Sequence, residues 1–145
     1  MKLLALKHRL PLLQPERLRD ESVLESLRAF EADIGVVAAY GKILTDAVLE
    51  VPRLGLINVH ASLLPMYRGA APIHRAVMAG EAETGVTIHR TTAELDAGPI
   101  AAQRSFRVGP QDDAGTVYAR AADAAVALLD EVLPEPTFTP QPDEG

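Results

Sequence analysis

Leu18, Val23, Leu24, Leu27 and Phe30 recur at helical spacing along "PERLRDESVLESLRAFEA", which predicts an amphipathic helix beginning near Asp20 or Glu21. The period then changes. "ADIGVVAAY" is a continuous apolar run of strand length, the pattern of a parallel strand covered on both faces. Gly41 interrupts it, and "TDAVLEV" predicts a short helix with Thr45 as its N-cap. "GLINVH" is the next strand. After the irregular "ASLLPMYRGAA", Pro72 suits the first turn of a helix that runs to Gly80, which serves as its stop. "GVTIHRTT" and "GPIAAQRSFRV" predict two strands around the tip "AELDA". From Thr116 a long helix presents Val117, Ala121, Ala125, Leu128 and Val132 as its apolar stripe.

Strand and helix alternate and a hairpin follows, which gives an α/β class with a mostly parallel sheet and helices on both faces. The opening "MKLLALKHRL" reads as the end of a helix, where such sheets normally begin with a strand and a ligand-binding turn. The expectation is therefore an incomplete fold that lacks its N-terminal strands. Residues 1–133 form its single domain, and the proline-rich, acidic residues 134–145 form a linker or tail. An uncovered "ADIGVVAAY" edge would carry unpaired backbone groups, so association through that edge is expected.

Composition narrows the chemistry. The 145 residues carry a net charge of −6, which argues against a surface that grips a long phosphate backbone. A nucleic-acid substrate would have to be held by its end, or by a surface outside this chain. With no cysteine there is no disulfide, thiolate metal site or cysteine nucleophile, and no metal is expected. No apolar run approaches the ~20 residues that span a bilayer, and no signal peptide is evident, so a cytoplasmic location is expected with no membrane partner.

One pair of polar residues stands out. Asn58 and His60 end an apolar strand two positions apart, and so share a face at its carboxyl end, where open α/β sheets place ligands. An amide NH₂ can donate to a developing oxyanion, and an imidazole can exchange a proton near pH 7. Asp96, on the loop between the last two strands, could orient that imidazole and favour its charged form. The set suits direct acyl transfer to an amine, since there is no G-x-S-x-G nucleophile elbow. Other polar residues have blander readings. His89 alternates with Ile88 and is expected on a strand's polar face outside the site. His74 sits on a helix and His8 near a frayed end. Tyr67 packs a loop, and Ser62 caps a turn.

A longer signature extends the trio. "INVHASLLPMYRGAAPIHRAVMAGEAETGVTIHRTTAELDAGPI", with "VVAAYGKILTDAVLEVPRLGLINVH" upstream and "PTFTPQPDEG" at the end, resembles the formyltransferase family that uses 10-formyltetrahydrofolate. Within it the match is to the branch acting on methionyl-tRNA, over nearly the whole chain. The resemblance implies an incomplete Rossmann-like formyltransferase domain in which the amine attacks the formyl carbon. Asn58 and His60 would stabilise the oxyanion, and Asp96, often through a water, would tune His60 and assist proton transfer. Ser62, Leu63, Leu64 and Pro65 match the folate-site motif. Backbone atoms of Lys42, Ile43 and Leu44, and of Thr92, Ala93, Glu94 and Leu95, match segments lining the pterin pocket.

Arg68, Gly69, Ala70, Ala71 and Pro72 resemble the acceptor side, whose implied partner is the acceptor end of initiator methionyl-tRNA. Formyltransferases of glycinamide ribonucleotide diverge after S-L-L-P, and nucleotide-sugar enzymes tend towards R-G-R-A-P, so the Ala-Ala pair favours the tRNA branch. Relatives are expected to add roughly sixty residues, about two βα units, before Met1 and a tRNA-binding domain after the tail. The competing readings are a non-catalytic remnant that only binds folate or a partner chain, and an enzyme acting on a nucleotide-sugar amine.

Overall fold

In the computed structural model, which describes residues 1–142, strand β2 (Leu56–His60) lies between β1 (Gly35–Ala38) and β3 (Glu83–Arg90). β4 (Ile100–Arg107) lies beyond β3. β1 and β2 run parallel, while β2 with β3 and β3 with β4 are antiparallel, so the hairpin supplies the antiparallel part of a mixed sheet. Residues 143–145 of the expected tail lie outside the described residues.

Alternation along the strands divides two apolar layers. Ile57 joins Val86 and Ile88 of β3 on one face, all almost completely buried. That face is covered by α4 (Pro72–Met78), through Ile73, and by α5 (Ala114–Val132), through Val117, Ala121, Ala124, Leu128 and Val132. Ala125, expected on that stripe, is only partly buried, and Ala124 takes the inner position. Leu56 points to the other face, where it meets Leu24 of α2 (Glu21–Arg28) and Val48 of α3 (Asp46–Leu49). Helices thus cover both faces, as the α/β reading requires. No helix among the described residues is long and apolar enough to cross a membrane.

Two terminal signals behave as the sequence implies. Pro72 opens α4, and Gly80, with φ of +72°, follows its end. At α5 the start lies two residues earlier than expected, because the Asp113 carboxylate caps it by accepting from the Thr116 N–H at 2.8 Å. Thr45 precedes α3 with extended backbone, yet its hydroxyl makes no capping bond and is buried without a partner.

The N-terminal third departs further from expectation. α2 is shorter than its apolar stripe, and α1 (Lys2–Lys7) buries none of its residues. The strand expected over "ADIGVVAAY" is reduced to Gly35–Ala38 and is not covered on both faces, since Val36 is 45% exposed. Its local cause is Ala39, whose φ of +49° leaves the β region. On the outer side of β1, no other described strand pairs with it.

Candidate active site

Asn58 and His60 project from the Leu56 face of β2, and strand register determines what faces them. Asn58 lies opposite His89, and His60 opposite Thr87, on the antiparallel neighbour β3. His89 is 1% exposed, and its Nδ1 lies 3.0 Å from the Arg90 carbonyl oxygen. A carbonyl only accepts, so Nδ1 carries the proton and Nε2 is left as an acceptor. The Asn58 Nδ2 donates to that Nε2 at 3.2 Å and to Asp96 Oδ1 at 3.3 Å. His89 therefore belongs to the cluster. The polar face expected for it is the site itself, and the expectation that placed it elsewhere is corrected.

His60 is 6% exposed. By the same logic its Nε2–H donates to the Tyr67 carbonyl at 3.0 Å, which turns Nδ1 towards Asp96 Oδ2 at 3.5 Å. The His60 and His89 rings meet edge to face, with centroids 6.2 Å apart. Asp96 Oδ2 also accepts from the Gly69 N–H at 2.8 Å. One carboxylate therefore touches the amide of Asn58, both imidazoles and a main-chain donor from the "RGAAP" segment.

Loop geometry brings Asp96 to this point. Its φ of +49° is a left-handed conformation that aspartate tolerates better than most residues. Two residues on, a Cβ added to Gly98 would lie 1.8 Å from the Arg90 carbonyl oxygen, so only glycine lets the loop close against the end of β3. The Arg90 N–H bonds the Pro99 carbonyl at 2.9 Å across this closure.

Burial alone would raise the Asp96 pKa. Contacts with His89 and the Gly69 N–H, and the positive charge that His60 and His89 carry when protonated, outweigh it and hold the carboxyl at about 2. His60 is shifted the opposite way from what its carboxylate neighbour alone would do. Burial lowers its pKa, and neighbouring His89 and Arg75 add to that, while the Tyr67 carbonyl and Asp96 pull it up without restoring it. The arrangement couples an ionised carboxylate to an imidazole kept from charging early.

The remaining candidates fall into separate roles. Ser62 is fully buried and its Oγ donates to the Met66 carbonyl at 2.6 Å, so it closes a turn. The Leu64 N–H donates to Thr87 Oγ1, its carbonyl accepts from Gln103 Nε2, and a cis peptide joins it to Pro65. Leu63 fills space against Gly85, where a Cβ would lie 2.6 Å from its Cδ2. The side chain of Lys42 donates to the Pro15 and Glu16 carbonyls, while Ile43 is almost fully exposed and Leu44 packs beneath α2 and α3. Thr92 Oγ1 donates to the Glu94 carbonyl at 3.1 Å, adjacent to Ala93, and Leu95 is exposed on the loop before Asp96.

In the "RGAAP" segment, Arg68 is bonded through Nε and Nη2 to Gln141 Oε1. After Gly69 and Ala70, Ala71 adopts a left-handed conformation that leads into Pro72 and α4. The Arg75 guanidinium on α4 donates to the Tyr67 and Arg68 carbonyls, at 2.6 and 2.5 Å. The Tyr67 hydroxyl donates to Glu81, fixing the far side of the same loop.

Comparison with known proteins identifies the family. The formyl transferase family profile matches residues 2–133. The chain belongs to that family. Methionyl-tRNA formyltransferase from Staphylococcus epidermidis is 48% identical over 134 residues, covering 92% of this chain and 43% of the relative. The chain thus spans less than half the length of the curated relatives it matches. Two solved structures carry the fold likeness. The phosphoribosylglycinamide formyltransferase of Anaplasma phagocytophilum has a TM-score of 0.81 at 25% identity, over 99% of this chain and 75% of that one. The formyltransferase PseJ of Anoxybacillus kamchatkensis, solved with a UDP-linked formamido sugar and tetrahydrofolate, has a TM-score of 0.78 at 26% identity, over 100% of this chain and 79% of that one.

Proposed function

We propose that this chain carries the transfer centre of an enzyme that moves a formyl group from 10-formyltetrahydrofolate to the amino group of methionyl-tRNA. The observation that carries the proposal is the convergence of Asn58, His60 and Asp96 in a chain without cysteine, with the neighbouring serine hydroxyl turned to a main-chain carbonyl. The candidate serine, Ser62, is buried and its hydroxyl is committed to a turn. Neither a free serine hydroxyl nor a thiol is available there as an acyl carrier among the described residues, which favours direct attack by the amine.

In this mechanism the amine lone pair forms a bond to the formyl carbon and the carbonyl oxygen becomes an oxyanion. Asn58 exchanges its 3.3 Å bond to Asp96 for the oxyanion, while its bond to His89 keeps the amide from rotating. The ammonium formed on the attacking nitrogen gives its proton to the His60–Asp96 pair at the Nδ1 side, since His60 Nε2 is held by Tyr67. That proton then goes to the folate nitrogen as its bond to the formyl carbon breaks. The family uses formyl-tetrahydrofolate donors, and the segments at Lys42–Leu44 and Thr92–Leu95 are the surfaces we assign to the pterin. "RGAAP" is the acceptor side, because Gly69 bonds the catalytic carboxylate directly.

The amine acceptor is assigned from the methionyl-tRNA formyltransferases this chain resembles. The test is formylation of methionyl-tRNA by the 145-residue chain supplied with 10-formyltetrahydrofolate. Formylmethionyl-tRNA that is lost on His60→Ala supports the assignment. Turnover only with an aminosugar nucleotide would transfer it to that acceptor class.

A further inference from the structure

The tail contributes to the site. Thr139 forms a two-way bridge with Ile100 at the start of β4, with bonds of 2.7 and 2.8 Å, and the Arg90 guanidinium stacks on Phe138 at 4.2 Å from the ring centre. These contacts deliver Gln141 to the Asp96 loop. Its Nε2 donates to the carbonyls of Asp96 and Gly98 at 2.7 and 2.9 Å. Its Oε1 accepts from Arg68 Nη2 and Nε at 2.7 and 3.2 Å. Both amide hydrogens and the amide oxygen are used, so this one side chain satisfies its full hydrogen-bonding capacity across two catalytic segments.

We propose that Gln141 is a positioning residue for formyl transfer, locking the left-handed Asp96 turn to the Arg68 segment. The proposal rests on the formyl-transfer reading of the site. Its physical basis is the pair of carbonyls that Gln141 occupies. They flank the strained turn, and without a donor they would turn outward to water and rotate the loop that carries the carboxylate. The same amide fixes Arg68, whose segment supplies the Gly69 N–H to Asp96. A cleft of about 400 Å³ opens beside it, bounded by Arg68, Glu94, Pro99 and Gln141. The tail thereby sets the distance between the acceptor side and the proton-handling group.

Two variants and two readouts test this. Gln141→Ala removes all four bonds. Gln141→Glu keeps acceptors for Arg68 but sets an oxygen against the Asp96 and Gly98 carbonyls. Both should lower kcat by roughly 10- to 100-fold, the scale of a small misplacement of a catalytic group, with KM for the folate donor little changed. In an Asp96→Asn background Gln141→Ala should cost nothing further, because it acts through that carboxylate. Fully multiplicative losses would overturn the proposal.

The second readout needs no turnover: NMR titration of the His60 imidazole in the wild-type and Gln141→Ala chains. His60 is faced by Asp96 from the loop, His89 from β3, Arg75 from α4 and the Tyr67 carbonyl. Of these three ionisable side chains only Asp96 raises its pKa, so a displaced Asp96 should shift the midpoint to lower pH. An unchanged midpoint in a folded variant would overturn the role of Gln141. Absence of wild-type formylation beside a shifted midpoint would instead remove the formyl-transfer reading and leave the tie intact.

Discussion

Asp96→Asn keeps the size of the side chain but removes the charge on which His60, His89 and the Gly69 N–H converge. A carboxyl held at about 2 against an ordinary 3.8 contributes about 2 kcal/mol to folding at neutral pH. The side chain is only 12% exposed, so solvent screening removes little of this. The sign follows from linkage. A depressed carboxyl pKa stabilises the fold above the unfolded value, near 4, and that contribution is lost as pH falls through about 2. Urea unfolding of wild type and Asp96→Asn between pH 5 and pH 2 should therefore show the wild-type advantage shrinking by about 2 kcal/mol. The other acidic groups titrate alike in both proteins and cancel in the difference. A difference that stays constant across this range would refute the claim that the folded protein holds Asp96 ionised by these contacts.

Three further substitutions separate chemistry from support. Ser62→Ala should leave transfer within a few-fold while costing about 1 kcal/mol for the lost bond to Met66, read by kinetics and thermal unfolding together. Gly98→Ala should abolish transfer and destabilise the fold by about 1–3 kcal/mol, because the added carbon meets the rigid Arg90 carbonyl. His89→Leu removes the acceptor that holds Asn58, and should lower kcat/KM by about 10²-fold, the lower end of what one placed oxyanion donor contributes. In the wild type, if neutral His60 takes the proton, the acid limb of the rate profile should have its midpoint below 6.5, since burial lowers that pKa. Asp96→Asn should move the limb further down.

Asn58 and His60 were readable because strand periodicity is two and they flank the apolar Val59 at the end of "LINVH". The same rule placed Ile88 and His89 on opposite faces, and this too is correct. What single-strand periodicity does not contain is register. Only the pairing of Asn58 with His89 shows that the polar face of β3 looks into the site and away from water. A signal was available in the position of His89, on the strand that runs directly into the Asp96 loop.

Gln141 was hidden for a different reason. A proline-rich stretch reads as an extended linker, but an extended backbone is also what Thr139 needs to bridge Ile100. At β1 the apolar run signalled a strand correctly, while its length and cover depended on Ala39 and on neighbours that local pattern does not encode. Glycine at position 98 was legible as a turn, but its necessity came from a carbonyl eight residues earlier.

The central claim is that formyl transfer is carried by the carboxylate–imidazole–amide cluster acting without a covalent intermediate. Its most direct test is formation of formylmethionyl-tRNA from 10-formyltetrahydrofolate by the wild-type chain, compared with Asn58→Ala, His60→Ala and Ser62→Ala. Turnover retained by Ser62→Ala and lowered by ~10²-fold or more in the other two is the predicted result. Turnover that survives loss of Asn58 and His60, or that disappears with Ser62 in a folded protein, would contradict it.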